Sequence, residues 1–164
     1  MPLAPDLRSF AAALPAKGSL LALDVSKRRL GVAGTDVERR LVTPLRTLTR
    51  KRFAHDMAEI ERLVRAREVV GLVVGLPLLA DGRFGPRAQS VKETAKAIDA
   101  RLGLPLWLQD ERWSTVEAED RGGDDAEAAA VILEDTLRDL AVLALQRRVG
   151  DAHSGSSPTD RSDP

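Results

Sequence analysis

At 164 residues and 43% hydrophobic content, the chain is long enough for one domain with a packed core. It has no cysteine and only two histidines, His55 and His153, which excludes disulfides, thiol nucleophiles and thiolate or histidine metal clusters; any metal must be held by oxygen, which favours magnesium or manganese over zinc. Its net charge is zero, yet residues 1–70 carry 14 Lys+Arg against 8 Asp+Glu and nine basic residues fall between Lys27 and Arg52, a pattern that suits a polyanion-facing surface as well as the plainer reading of a solvated charged face.

Residues 1–18, with Pro2, Pro5 and Pro15, read as a flexible N-terminal arm. The run Phe10-Ala11-Ala12-Ala13-Leu14 is too short for a signal peptide, has no basic run before it and is closed by Pro15. No run approaches membrane-spanning length, so the expectation is a cytoplasmic protein with no membrane segment. Strands are predicted at 19–25, 30–36 and 40–45, with basic, polar connections that suit an antiparallel meander. Phe53, Met57, Ile60, Leu63 and Val64 repeat at helical spacing and predict a helix over 53–67. The apolar run 69–74 reads as a strand buried on both faces, broken by Gly75-Leu76-Pro77. A glycine-rich loop over 80–85 leads into a helix with Pro86 in its first turn, ending near Leu102. The last strand, 104–109, ends in Asp110-Glu111-Arg112. A short helix is expected after Ser114, which has capping-box spacing to Glu117, and a final helix from Asp124 to about Arg148. Residues 150–164, rich in Ser, Asp and Pro, read as a disordered tail, which leaves 19–149 as the domain. The order βββαβαβαα predicts an α/β domain with a five-stranded mixed sheet, helices on both faces and functional groups at the ends of parallel strands.

Carboxylates stand at those ends. Asp24 closes the apolar run Leu20-Leu21-Ala22-Leu23, where burial demands a cation, a metal or water. Glu111 follows the last strand. On the final helix, positions 125, 129, 132, 136 and 140 hold Asp, Ala, Ile, Thr and Leu, so Asp125 shares the core-facing stripe. Asp124 is turned about 100° away and suits the N-cap, with Glu127 three residues on. Three converging carboxylates repel one another unless cations sit between them; two hard divalent ions about 4 Å apart would neutralise them and clamp a phosphodiester for attack by water. Taken singly, each acid has a plainer reading: Asp24 paired with Lys27 or Arg28, Glu111 paired with Arg112, Asp125 as a helix-start acid.

Four segments carry a resemblance. They are Leu23-Asp24-Val25-Ser26-Lys27-Arg28-Arg29-Leu30-Gly31-Val32-Ala33; Val74-Gly75-Leu76-Pro77 with Asp81-Gly82 and Gly85-Pro86-Arg87-Ala88; Asp110-Glu111-Arg112-Trp113-Ser114-Thr115-Val116-Glu117-Ala118; and Asp125-Ala126-Glu127-Ala128-Ala129-Ala130-Val131-Ile132-Leu133. In this order, over most of residues 19–145, the chain resembles the YqgF (RuvX) family of Holliday junction resolvase-like and pre-16S rRNA nuclease proteins, within the RNase H-like superfamily. The resemblance implies an RNase H-like fold and a Mg2+- or Mn2+-dependent nuclease that leaves a 5′-phosphate and a 3′-hydroxyl. It makes Asp24, Glu111 and Asp125 the metal-binding and catalytic carboxylates. Asp110 is the reserve beside Glu111, because strand alternation puts the two on opposite faces, and Asp124 is the reserve beside Asp125.

Lys27, Arg28, Arg29, Arg87 and Arg112 are candidate nucleic-acid contacts, since backbone phosphates position a substrate without reading its sequence. Gly82, Gly85 and Arg87 lie where a helix N-terminus favours phosphate, or are ordinary loop punctuation. Trp107 reads as packing, and Trp113 as packing or a base-stacking platform. Three features depart from the family pattern. Ser26 stands where glycine is usual, the 120–124 connection is short and acidic, and three carboxylates are evident where many relatives have four. The expected role is 5′-end maturation of precursor 16S rRNA by a monomer or weak homodimer. Cleavage of branched, four-way DNA is the alternative, which needs two symmetric sites. The departures motivate a binding module with weak or lost catalysis, and an actin- or sugar-kinase-like lobe shares the core fold but needs a second lobe.

Overall fold

The alternation within the first strand sets the layout. In β1 (Ser19–Val25), Leu21, Leu23 and Val25 join one apolar cluster and Leu20 and Ala22 the other, all five buried. A strand buried on both sides belongs inside a sheet with helices above and below. The computed structural model, which describes residues 3–112 and 125–154, has that architecture. β1 pairs antiparallel with β2 (Arg29–Thr35), which pairs antiparallel with β3 (Val42–Thr49). On its other side β1 pairs parallel with β4 (Val69–Leu78), and β4 pairs parallel with β5 (Leu106–Arg112). The five-stranded sheet therefore runs β3-β2-β1-β4-β5, with the expected meander at one side.

Among the described residues four helices clothe it: α1 (Leu7–Ala13), α2 (Phe53–Ala66), α3 (Pro86–Leu102) and α4 (Asp125–Ser154). Met57 and Ile60 of α2 and Val91, Ala95 and Ile98 of α3 pack against Leu21, Leu23 and Leu72. On the opposite face Phe10 of α1 and Ala129, Ile132 and Leu133 of α4 meet Leu20, Ala22 and Val73. Among the described residues no helix is long and apolar enough to cross a membrane.

Five sequence expectations change. The third strand, expected over 40–45, runs over Val42–Thr49, because its residues are mostly exposed and no apolar run marks its bounds. The last strand, expected over 104–109, runs over Leu106–Arg112 and so takes in Glu111. The arm reading of 1–18 missed α1, whose seven residues are too few to show helical periodicity. Asp6 caps it by accepting the Ser9 N–H at 2.7 Å, Phe10 is fully buried, and the Ala4 N–H donates to the Leu106 carbonyl at 3.0 Å. The break expected at Gly75-Leu76-Pro77 does not occur, and β4 continues to Leu78. Its pairing with β1 stops at Leu23↔Val74, while pairing with β5 runs on through Pro77↔Glu111. Pro77 thus has a neighbouring strand on one side only, where a missing N–H is tolerated. Finally, α4 runs to Ser154, into the stretch read as tail. The helix expected after Ser114 and the cap expected at Asp124 lie outside the described residues.

Candidate active site at the carboxyl edge of the sheet

The register places the acids. Asp24 lies directly across from Gly31 on β2, so the two share a face of the sheet. That is the α4 face. A Cβ built on Gly31 would stand 1.8 Å from the carbonyl oxygen of Asp125 and 2.9 Å from its Cβ. Only glycine lets the first residue of α4 settle this closely on β2, beside Asp24. The Ala126 N–H, also in the first turn, donates to Thr47 Oγ1 of β3 at 3.2 Å, which satisfies a helix-start donor from 79 residues away.

Glu111 joins the same face by alternation along β5. Two residues before it, Gln109 is buried under α4: its Oε1 accepts from Trp107 Nε1 at 2.9 Å and from Thr136 Oγ1 at 3.1 Å, and its Nε2 donates to Asp139 at 2.9 Å. Glu111, at 9% exposure, is on Gln109's side of the strand. Asp110 is exposed and lines a separate cleft with Lys92 and Lys96 of α3. The alternation that the sequence left open thus turns Glu111 toward α4 and Asp110 away. Trp107 packs in the α4-side cluster, as expected.

Asp125 has one ion-pair partner among the described residues. Its Oδ2 lies 3.1 Å from Arg29 Nε, with Arg29 63% and Asp125 18% exposed. The oxygen is buried and forms no well-aligned hydrogen bond, so the contact is chiefly electrostatic. Of the other basic candidates, Lys27, Arg28 and Arg87 are exposed near the same edge, and Arg112 ends β5. Asp124, Trp113 and the 120–124 connection lie outside the described residues.

The turn carrying Ser26 is closed by its own side chain. Ser26 Oγ accepts the Arg29 N–H at 3.1 Å and donates to the Arg29 carbonyl at 3.0 Å, and the Ser26 N–H reaches the same carbonyl at 3.0 Å. The serine that departs from the family pattern is therefore committed to the β1–β2 turn.

The donor chemistry of Asp24, Glu111 and Asp125 is that of a hard divalent cation: carboxylate oxygens only, on one face and one edge. As placed, no three acidic or histidine side chains among the described residues stand close enough together to enclose an ion. Gly31, Thr47 and the Gln109–Thr136–Asp139 network were not anticipated as site supports. Thr136 did carry a signal, as a polar residue on an otherwise apolar helical stripe. Gln109→Leu should lower stability by about 1–3 kcal/mol in urea unfolding, because Thr136 and Trp107 lose a buried acceptor.

A family model described as RuvX, Holliday junction resolvase, matches residues 18–139. The chain belongs to the RuvX family. Relatives bearing the name "Putative pre-16S rRNA nuclease" include a Rhodobacter capsulatus protein, 44% identical over 115 residues, covering 70% of this chain and 72% of its own. One from Sphingopyxis alaskensis is 49% identical over 116 residues, covering 71% and 74%. Another from Cereibacter sphaeroides is 45% identical over 114 residues, covering 70% and 71%. The solved structure of Archaeoglobus fulgidus Pelota aligns with 90% of this chain and less than half, 43%, of its own length, at 11% identity and TM-score 0.37, too remote to inform the site. The RuvX match spans all five strands and the first half of α4, the part that carries every candidate carboxylate.

Proposed function

We propose that this RuvX-family chain is a metal-dependent nuclease that hydrolyses phosphodiester bonds in structured RNA, maturing the 5′ end of precursor 16S rRNA in the cytoplasm. One observation carries the reading: Asp125 is seated over Gly31 beside Asp24, on the face that also receives Glu111. Acids from the two extremes of the domain are brought to one edge although like charges disfavour it, and a hard cation resolves the conflict. Asp24, Glu111 and Asp125 would hold it. A magnesium or manganese ion bound there supplies Lewis acidity and an acidified water. The chain's own residues do the rest. β1 and β5 fix two carboxylates on strands rather than loops, and Arg29 neutralises Asp125 until a cation takes its place.

The Ser26 turn removes one motive for assigning lost catalysis, since its hydroxyl is engaged within the turn. The deciding experiment incubates wild type and magnesium or manganese with end-labelled precursor 16S rRNA and, in parallel, four-way DNA. Cleavage of the RNA at its 5′ flank supports the reading; cleavage of DNA alone transfers the activity to junctions, and cleavage of neither refutes a nuclease. A second measurement addresses Arg29. Because an exposed ion pair is worth about 0–1 kcal/mol, Arg29→Ala should tighten Mn2+ binding by up to about fivefold in calorimetry. Unchanged or weaker binding would show that Arg29 and the cation do not compete for Asp125.

A further inference from the structure

On the opposite side of β1 from the acids lies a cleft of about 470 Å3 that the carboxylate chemistry does not use. Three cations line it, from three places in the chain: Lys27 in the β1–β2 turn, Arg50 just beyond β3, and Arg87 in the first turn of α3. Among the described residues no aspartate or glutamate does. Two other clefts with basic residues differ in this respect. The one holding Lys92 and Lys96 includes Asp99 and Asp110, and the one holding Lys51 and His55 includes Asp56 and Glu59. Balanced clefts are what a charged surface produces by default, whereas three converging cations without a counter-charge repel one another and favour an anion between them.

The cations differ in how they are held. Arg50 is half-buried, and its Nη1 donates to the Ser26 carbonyl at 2.9 Å, which fixes the guanidinium in place with further N–H groups to offer. Lys27 and Arg87 are exposed and have no ion-pair partner among the described residues. The Ser90 hydroxyl adds a donor at the wall, while Val25 and Val91 give an apolar floor. A rigid arginine, two mobile cations and a hydroxyl over an apolar base suit a phosphate attached to something less polar, as in a nucleotide chain.

Position gives the rest. Val25 borders this cleft and the preceding residue, Asp24, faces the acids, so the two sites sit at one strand end on opposite faces of the sheet. We propose that the cleft is a subsite for a non-scissile phosphate of the nucleic-acid strand, gripping the chain next to the point of cleavage. The proposal rests on the nuclease reading for the identity of the strand, though not for the binding itself.

The test is binding without cleavage. A fluorescein-labelled single-stranded oligoribonucleotide is titrated with full-length protein in EDTA, and anisotropy is followed over a series of salt concentrations. Lys27→Gln/Arg87→Gln should bind about tenfold more weakly, the loss expected for charge-assisted contacts to one phosphate. Its log K against log salt plot should be shallower by about 0.7, the release from one single-strand phosphate. Arg87→Lys should recover part of the affinity, and Arg62→Gln, an exposed cation paired with Glu59 away from the cleft, should bind as wild type. Equal affinity and slope in wild type and the double variant, or an equal loss in Arg62→Gln, overturns the subsite. Failure of the nuclease reading looks different: wild type then cuts nothing with metal, whatever the cleft variants do to binding.

Discussion

Asp24→Asn should lower metal-dependent cleavage by roughly a thousandfold, equivalent to about 4 kcal/mol of transition-state stabilisation, while the protein folds as before. The substitution keeps the size and shape of the side chain and removes only its charge. Asp24 is half-buried at the end of β1, opposite Gly31 and beside the start of α4, where an amide of the same shape fits. Melting temperature should therefore stay close to that of wild type. Initial rates on labelled RNA with saturating Mn2+ give the comparison, and calorimetric Mn2+ titration gives an independent one. A variant that cuts within tenfold of wild type would remove Asp24 from the metal-binding set and with it the proposed site.

Gly31→Ala should be as damaging to activity and far worse for the fold. The added methyl would meet backbone, 1.8 Å from the Asp125 carbonyl oxygen and 2.2 Å from its carbon, and backbone cannot rotate aside. The start of α4 must lift off β2, carrying Asp125 away from Asp24 and loosening the Ala126–Thr47 hydrogen bond. A loss of about 3 kcal/mol, the upper end of ordinary overpacking, lowers the midpoint of thermal unfolding by roughly 10 °C in a domain of this size. Gly75→Ala provides the contrast on the same face. Its methyl would meet Ile132 Cδ1 at 2.4 Å, a side-chain tip that can change rotamer, so stability should fall by about 1–2 kcal/mol with Asp125 left in place. Cleavage should survive in the second variant and vanish in the first. Equal activity in both would separate the Gly31 contact from the placement of Asp125.

Most of the sheet was legible from the sequence because β1, β2, β4 and β5 carry apolar runs and the β3-β2-β1 meander needs only short connections, whereas the bounds of the mostly exposed β3 were not. Helix register was legible for the same reason that helices are: Asp125, Ala129, Ile132 and Thr136 follow one stripe, and the structure has all four facing the sheet side. What escaped was of two kinds. Short or capped pieces such as α1 lack a periodic signal, and Pro77 misled because a proline breaks a strand only where a neighbouring strand needs its N–H. Long-range pairings escaped as well: nothing at Thr47 announces a partner at Ala126, and nothing at Gly31 announces the carbonyl of Asp125. Within the candidate site the residue types were readable, since acids at element ends are unusual in buried positions. Their mutual placement was not, because it depends on register across β1, β2 and β5 and on how closely one helix start approaches the sheet.

The docking of α4 has a consequence in time as well as in space. Asp24 lies on the first strand and Asp125 opens the last described helix, and the contact over Gly31 brings them to one edge. As a chain emerges from its amino end, the meander and the parallel strands can form in order, but α4 arrives only after all five strands. Until then the edge of β1 has no Asp125 and, of the helices described, only α1 covers that face of the sheet. A polypeptide interrupted before residue 125 would hold all five strands and none of the assembled acid pair, so under the proposed assignment such a chain would not cut nucleic acid while it is still being made.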